Sequence, residues 1–361
     1  MLACFYKTAR RDLAQPPTAV AMQTLKLVFA HFLFLFCAAK DDFSTYPKNF
    51  EEIKKSFKTD RPTIGVLTMA NDDKRLFTNV EGTDNTSYVA ASYIKLIEAG
   101  GARAVPLIAD MPNDELKKVI QSINGVVLSG GDGQLFNSHY DKVAKMVYEY
   151  SIKKMEEEGE HWPVLGICRG SQILPIFTEK KDFLVHTDSK NYSIPLEFYG
   201  EYKKSKLFGH ASDGVIETLK NKPITINAHL YSLPSKFFLK SKVLTDFYRV
   251  ISLNNDKEAI RFVSTYEARR YPIYGLQWHP EKLLFVWNPM MAADHSIDSI
   301  RVAQYIANFF VMEARRNSNR FSSREEEEKY LIYKWKPTYI GDIPETPYEQ
   351  AYLFPRIQEE L

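Results

Sequence analysis

The chain has 361 residues, of which 45% are hydrophobic and 25% are charged. This composition is ordinary for a globular protein and is enough for one large core or two smaller ones. The formal net charge is +2, and no block of basic residues is interleaved with aromatic residues. We therefore expect no nucleic-acid partner.

The first forty residues differ from the rest of the chain. The apolar stretch LVFAHFLFLFCA covers residues 27–38, with Lys26 before it and Ala39 and Lys40 after it. A basic residue, a short apolar core and small residues at a cleavage point are the parts of a secretory signal peptide. The stretch is also shorter than the run of about 20 residues that a membrane-spanning helix needs.

We expect residues 1–39 to be a signal peptide with an upstream extension, cleaved near Ala39, with either Met1 or Met22 as the initiator. After cleavage, the protein would follow the secretory pathway to a lysosome, a vacuole or the extracellular space. It would then have no contact with a membrane.

Cysteine usage and two sequons agree with this route. Cys4 and Cys37 lie in the segment that we expect to be removed, which leaves Cys168 unpaired. An unpaired thiol in an oxidising compartment is a liability unless it is buried or used. Asn85 and Asn191 begin the two sequons and are candidate glycosylation sites.

Strands and helices alternate along the first part of the expected domain. The pattern predicts strands over residues 62–69, 102–106, 125–128 and 163–167 and helices over residues 87–99, 113–123 and 139–157. Such alternation predicts an α/β fold, a three-layer sandwich in which helices cover both faces of a mostly parallel central sheet. Ligands of such sheets bind beyond the carboxyl ends of the strands.

The later part of the chain is less regular. Strands are predicted over residues 223–229, 243–253, 259–265 and 273–278, followed by a helix over residues 296–316 and another that ends at Tyr330. No internal repeat and no long linker divides the chain. We therefore expect one catalytic domain over residues 61–341 and a C-terminal tail over residues 342–361.

The sequence PVLGICRGSQ, residues 163–172, is the most informative stretch. Gly166 and Gly170 flank Cys168 in a G-x-C-x-G pattern, the thiol counterpart of the nucleophile elbow at which a strand turns sharply into a helix. The N-terminus of that helix would favour the thiolate form of Cys168. Taken alone, the pattern also fits a buried, unreactive cysteine on a core strand.

Two further motifs fall at predicted strand ends. The loop SGGDG, which contains Gly130 and Gly131, follows the strand at residues 125–128, and its backbone N–H groups can form an oxyanion hole or merely a turn. The sequence GLQWHPEK places His279 at the end of the strand at residues 273–278. There His279 can act as a base towards Cys168, with Glu281 able to orient its imidazole.

The elbow GICRG, the SGG loop and QWHPEK, in this order, resemble the class I glutamine amidotransferase fold, which is flavodoxin-like. More closely, the chain resembles the gamma-glutamyl hydrolase family. The likeness runs from about Arg61 to Gly341 and is strongest in the segments SYVAASYIKLIEAGGARAVPL, SINGVVLSGG and STYEARRYPIYGLQWHPEK.

The resemblance implies a secreted or lysosomal cysteine peptidase that cleaves gamma-linked glutamate from folylpoly-gamma-glutamates through a thioester, without a metal or an organic cofactor. By this match Cys168 is the nucleophile, His279 is the base and Glu281 is the partner of the histidine. The backbone N–H groups of Gly131 and Arg169 would form the oxyanion hole.

The resemblance also implies substrate-binding residues. His229, in NAHLYSL, matches a substrate-site histidine of the family, and Gly130 and Gln172 are further candidates. The chain departs from the family at the elbow, which typically runs Cys-Leu-Gly-Phe-Glu and here runs CRGSQ. The side chain of Arg169 can bind a glutamate carboxylate or point to solvent.

Several alternatives stay open at this stage. The chain can be a hydrolase of other small gamma-glutamyl amides, a glutaminase-type amidotransferase subunit or a non-catalytic gamma-glutamyl binding protein. The sequence does not decide between endo and exo cleavage. A homodimer is compatible with it, but no feature fixes the oligomeric state.

Overall fold

The computed structural model describes residues 43–71, 77, 86–108, 111–131, 136–343 and 346–355. The expected signal peptide and the sequon at Asn85 lie outside the described residues. The unit that contains the candidate site begins at Phe43.

Strands are numbered along the chain. Those in the described residues are β1 (Thr63–Leu67), β2 (Met69–Ala70), β3 (Thr86–Ala90), β4 (Arg103–Leu107), β5 (Val126–Leu128), β6 (Val164–Ile167), β7 (Val185–Ile194), β8 (Glu197–Phe198), β9 (Thr225–Ser232), β10 (Tyr248–Asn255), β11 (Arg261–Ala268), β12 (Ile273–Leu276), β13 (Pro337–Tyr339) and β14 (Gln350–Pro355).

These strands form a central sheet of eight strands in the order β4-β1-β5-β6-β12-β11-β10-β8. From β4 to β12 the neighbours run parallel, and from β12 to β8 they run antiparallel. Every residue of β1, β5, β6 and β12 is buried, as expected for parallel strands that are covered on both faces. A smaller antiparallel sheet has the order β13-β14-β3-β2, and β7 pairs with β9.

Helices are numbered in the same way. Those in the described residues are α1 (Phe50–Lys54), α2 (Ala91–Ala99), α3 (Asn113–Ser122), α4 (His139–Glu158), α5 (Arg169–Glu179), α6 (Asp213–Asn221), α7 (Ser235–Lys240), α8 (Lys242–Phe247), α9 (Pro280–Phe285), α10 (Ile297–Arg315) and α11 (Arg324–Tyr330). None of these helices has the length and apolar character needed to cross a bilayer.

Two adjacent residues of β12 show that helices cover both faces of the central sheet. The Tyr274 ring packs against Phe309 of α10, with ring centroids 5.1 Å apart. Gly275 faces the ring of Tyr266, whose hydroxyl donates a hydrogen bond to the Ser171 carbonyl of α5. Since successive residues of a strand point to opposite faces, α10 and α5 lie on opposite sides of the sheet. The predicted three-layer α/β fold is confirmed.

Two predicted elements differ from the observed ones. The helix predicted over residues 87–99 begins only at Ala91, because Thr86–Ala90 forms β3 and pairs with β14, a strand far along the chain. The strand predicted over residues 243–253 begins only at Tyr248. Its first part is helix α8, where the Ser241 hydroxyl accepts a hydrogen bond from the Leu244 N–H and caps the first turn.

The folded unit extends beyond both predicted domain limits, 61 and 341. Before residue 61, the Lys58 N–H donates a hydrogen bond to the Arg315 carbonyl at the end of α10. After residue 341, β14 lies between β13 and β3, and its Ala351 and Phe354 side chains are fully buried. Part of the expected C-terminal tail, β14, is therefore an inner strand of a sheet.

Candidate active site

The predicted elbow is present at Cys168, between β6 and α5. Its backbone has φ 52° and ψ −108°, a conformation that is strained for a residue other than glycine. A side chain at Gly170 would place its Cβ 2.1 Å from the Leu128 carbonyl oxygen, so only glycine lets α5 pack this closely on β5. Cys168 is a free thiol that is 7% exposed.

His279 lies at the neighbouring strand end. Because β12 pairs in parallel with β6, with Leu276 opposite Ile167, the chain after each strand leaves the sheet at the same edge. A Cβ atom at Gly130 would lie 2.9 Å from Cys168 Cβ and 3.3 Å from His279 Cε1. The two side chains therefore meet beside the SGG loop.

A buried carboxylate lies behind the imidazole. His279 Nδ1 is 2.7 Å from Glu281 Oε1, and the two side chains are 3% and 0% exposed. Burial lowers the pKa of His279, but the negative charges of Glu281 and the Cys168 thiolate outweigh this effect and raise it to about 9. Nδ1 donates to Glu281, which leaves Nε2 as the nitrogen that can exchange a proton at the site.

The SGG loop contacts this pair through a tyrosine that sequence reasoning missed. The Tyr93 hydroxyl of α2 accepts a hydrogen bond from the Gly130 N–H at 2.9 Å and lies 3.4 Å from His279 Nδ1. In the sequence, Tyr93 occupies an apolar position of a helical pattern, and no neighbouring motif indicates that its hydroxyl contributes to the site. The sequence signal that could have found Tyr93 is the hydroxyl itself, because a buried hydroxyl is costly without a hydrogen-bond partner.

His229 lies on β9 and is 6% exposed. Its Nε2 is 3.1 Å from Asn227 Oδ1, and the Asn227 amide nitrogen donates to the carbonyls of Tyr192 and Thr225. This fixes Oδ1 as the acceptor, so Nε2 of His229 carries a proton. Burial and then the charge of His279 lower the pKa of His229 to about 3, which keeps its ring neutral.

The elbow departs from the family pattern at three residues, and two of them, Arg169 and Gln172, donate hydrogen bonds to backbone carbonyls. The Gln172 amide nitrogen donates to the Tyr231 carbonyl at 2.7 Å and to Gln277 Oε1 at 3.2 Å, so both of its N–H groups are used within the protein. An Arg169 guanidinium nitrogen donates to the Gly131 carbonyl at 3.0 Å. Arg169 is thus turned towards the SGG loop, an orientation that the sequence did not suggest.

Asn191, the candidate glycosylation site within the described residues, is exposed on β7. Its backbone φ is 53°, and its side-chain oxygen accepts a hydrogen bond from the Ala292 N–H. The amide nitrogen, to which a glycan would be attached, is not needed for that contact.

Known proteins resemble this chain over most of its length. The Peptidase C26 family matches residues 62–179, which include the SGG loop and the elbow. A gamma-glutamyl hydrolase from Bos taurus is 37% identical over 294 residues, covering 81% of this chain and 90% of that protein. A gamma-glutamyl hydrolase from Homo sapiens has the same identity and coverage. These relatives and the elbow thiol define the class of the protein, a cysteine-type hydrolase.

Within this class, the chain belongs to the gamma-glutamyl hydrolase family, and this membership supports cleavage of gamma-glutamyl bonds. The resemblance identified from the sequence is confirmed. Among solved structures, a glutamine amido transferase from Methylobacillus flagellatus matches 73% of this chain and 98% of its own, with a TM-score of 0.43 and 9% identity. That likeness carries no argument about function.

Proposed function

We propose that the chain hydrolyses gamma-glutamyl amide bonds of folylpoly-gamma-glutamates, with Cys168 as the nucleophile and His279 as general acid and base. The observation that carries the proposal is the meeting of a thiol on a strained elbow with a buried imidazole–carboxylate pair. A nucleophile, a base and an orienting third group are the parts that acyl transfer needs. Membership of the gamma-glutamyl hydrolases supports the choice of bond.

In the first half of the reaction, the Cys168 thiolate attacks the gamma-carbonyl carbon, and the carbonyl oxygen takes up the negative charge. The backbone N–H groups of Gly131 and Arg169 stabilise this oxyanion, and one such donor is worth about 3 to 4 kcal/mol at comparable sites. Within the described residues, the Gly131 N–H makes no hydrogen bond, so it is available for the oxyanion.

The intermediate then collapses to an acyl-enzyme. His279 Nε2 gives its proton to the leaving amine nitrogen, the carbon–nitrogen bond breaks, and a gamma-glutamyl thioester on Cys168 remains. His279 next takes a proton from water, and the resulting hydroxide attacks the thioester carbonyl. Cleavage of the carbon–sulfur bond releases the gamma-carboxylic acid, which gives its proton to water, and restores the thiolate, while Glu281 holds the ring in place throughout.

The substrate-binding roles of His229, Gly130 and Gln172 stay predictions. The geometry limits the contacts that each of these residues can offer to a substrate. Gly130 lies against Cys168, and the ring of His229 is close enough to His279 to feel its charge. A neutral His229 offers no charge to a substrate, and because its Nε2–H already donates to Asn227, its Nδ1 can only accept a hydrogen bond from a substrate donor. Gln172 has only its Oε1 left for a substrate, because both N–H groups are used.

The variants Cys168→Ala and His279→Ala test the proposal. We expect each to lower release of glutamate from a gamma-glutamyl peptide by more than about a thousandfold, since members of a catalytic unit act together. The matched control is His139→Ala, at the first residue of α4 and outside the site. Retained turnover in either site variant would refute the assignment.

Substrate analysis separates the remaining readings. Incubation with a folate pentaglutamate should shorten its glutamate chain, and the lengths of the products distinguish endo from exo cleavage. A glutaminase subunit would instead release ammonia from free glutamine. A binding protein without activity would bind the folate and leave it intact.

We further propose that the chain enters the secretory pathway and loses residues 1–39. The apolar stretch at residues 27–38 and the exposed sequon at Asn191 support this route. Expression in a eukaryotic host should give a mature N-terminus after Ala39 and a mass that falls on treatment with an endoglycosidase. Asn191→Gln should remove part of that shift, and an uncleaved, unglycosylated product would contradict the proposal.

A further inference from the structure

The backbone of residues 129–131 is held by side chains from three different elements. The Tyr140 hydroxyl of α4 donates to the Ser129 carbonyl at 2.6 Å, and the Gly130 N–H donates to the Tyr93 hydroxyl of α2 at 2.9 Å. These two contacts fix both polar groups of the peptide between Ser129 and Gly130. Because a peptide is planar, its orientation is then set.

The peptide after Gly131 is held from the other side. Its carbonyl accepts the hydrogen bond from the Arg169 guanidinium at 3.0 Å, and Arg169 is the first residue of α5, next to Cys168. Between these two held peptides lies the peptide that joins Gly130 to Gly131. Within the described residues, neither its carbonyl nor its N–H is hydrogen-bonded.

Glycine at both positions makes such restraint necessary. A Cβ atom at Gly130 would lie 2.7 Å from the Tyr93 hydroxyl and 2.9 Å from Cys168 Cβ, and Gly131 has φ +153°. Two consecutive glycines leave the backbone with more conformational freedom than any other pair of residues. A donor that stabilises a transition state must already be in place, since its reorganisation during the reaction would cost rate.

We propose that the side chains of Tyr93 and Arg169 are positioning residues that hold the Gly130–Gly131 peptide with its N–H turned towards the carbonyl oxygen of the substrate. This inference rests on the proposed function, in which that N–H stabilises the oxyanion. Arg169 then has two separate roles. Its backbone N–H donates to the oxyanion, and its side chain holds the Gly131 carbonyl in place.

Arg169→Met and Arg169→Lys test the role of the side chain while leaving the backbone N–H in place. We expect Arg169→Met to lower kcat for a gamma-glutamyl peptide by about 10- to 100-fold, because a displaced oxyanion donor loses most of its effect. KM should stay within about threefold, and Arg169→Lys should restore part of kcat, since its ammonium can also donate to a carbonyl. Arg270→Met, at an exposed position outside the site, is the matched control.

Alkylation of Cys168 by iodoacetamide is the second measurement, since this reaction uses the thiolate but forms no oxyanion. We expect the loss of alkylation rate in Arg169→Met to be much smaller than the loss of kcat. Equal losses would mean that Arg169 acts on the thiolate, and a raised KM with wild-type kcat would mean that it binds the substrate. Either result, or wild-type kinetics, would overturn the inference.

Tyr93→Phe tests the second side chain that holds the loop. We expect a loss of kcat of about tenfold or more, by the same displacement of the oxyanion donor, with the thermal unfolding midpoint close to that of wild type. Combining it with Arg169→Met should cost less than the product of the two single losses, because both side chains hold one peptide. Multiplicative losses would contradict the inference. Failure of the proposed function is distinct, since wild-type enzyme would then release no glutamate.

Discussion

At the scale of single residues, the site depends on how charge is balanced away from water. His279 and Glu281 are both buried, and a buried charge is costly unless it is paired. The carboxylate offsets the burial of the ring and keeps it protonated at neutral pH, as its pKa of about 9 requires. A protonated ring beside a thiolate is the form in which attack and proton donation to the leaving group can follow one another.

The pH dependence of the reaction follows from this pKa. In wild type, kcat/KM should fall as pH rises through about 9, because His279 then loses the proton that the leaving amine needs. In Glu281→Gln, the negative charge that raises the pKa of His279 is absent. The fall of kcat/KM on the basic side of the profile should therefore occur at lower pH. A pH profile of the two proteins checks the prediction, and an unmoved basic limb would contradict it.

The same proton also affects folding stability. The folded-state pKa of His279 lies above the ordinary value of 6.5, so the folded state binds the proton more tightly than the unfolded state does. The stabilisation is therefore fully present below pH 6.5 and is lost as pH rises towards 9. Thermal unfolding midpoints of wild type and His279→Gln should converge over this interval. A gap that stays constant with pH would count against the assigned pKa.

Several of these residues could be predicted from the sequence and others could not. Cys168, His279 and Glu281 stand at fixed positions relative to strand ends, so local patterns with a known chemical role locate them. Tyr93 acts through contacts with Gly130 and His279, which are far along the chain from it. A single sequence contains no local pattern for such contacts.

At the scale of elements, the elbow works because β6 and α5 come very close to each other and to β5. The close approach depends on Gly170, which lies against the Leu128 carbonyl. The interior of a protein is as tightly packed as a crystal, so even one added methyl group there must displace backbone.

Gly170→Ala tests this packing. The added Cβ would lie 2.1 Å from a backbone oxygen, so α5 must move away from the sheet and carry Cys168 with it. We expect a destabilisation of about 1 to 3 kcal/mol, typical of an overpacked core, together with a clear loss of glutamate release. Denaturant unfolding and a steady-state assay measure the two effects. Wild-type values in both would show that the close approach is not required.

The regular elements could largely be predicted, and the two misassigned ones share a cause. Residues 87–90 fit a helical spacing of apolar side chains, yet they form β3 because β14 supplies a partner strand. Residues 243–247 fit a strand by composition, yet Ser241 caps them as helix α8. In each case an interaction outside the window overrode the local pattern.

At the scale of the whole molecule, the end of the chain supports the site. β14 pairs with β3, and β3 leads directly into α2, which carries Tyr93. Lys282, the residue after Glu281, lies with its ammonium 4.3 Å from the ring centroid of Tyr348, just before β14. The C-terminal strand therefore contacts α2, where Lys95 donates to the Gln350 side chain, and the residue Tyr348 just before it contacts α9. A sequence pattern cannot show this, because the pairing joins segments at opposite ends of the domain.

Phe354→Ala tests the importance of this strand. Phe354 is fully buried, so we expect the free energy of unfolding to fall by about 3 to 5 kcal/mol, as for other buried phenylalanines. Tyr339→Ala on the neighbouring strand is the matched control, because that ring is 62% exposed. Denaturant unfolding compares the two, and equal, small effects would indicate a strand that adds little to the fold.

During turnover, Cys168 should form a covalent bond to the gamma-glutamyl group. Rapid acid quenching of the enzyme with a gamma-glutamyl peptide, followed by mass spectrometry of proteolytic fragments, measures this most directly. We expect a fragment containing Cys168 that is heavier by one gamma-glutamyl group and is absent in Cys168→Ala. An adduct on another residue, or turnover by Cys168→Ala, would show that Cys168 is not the nucleophile.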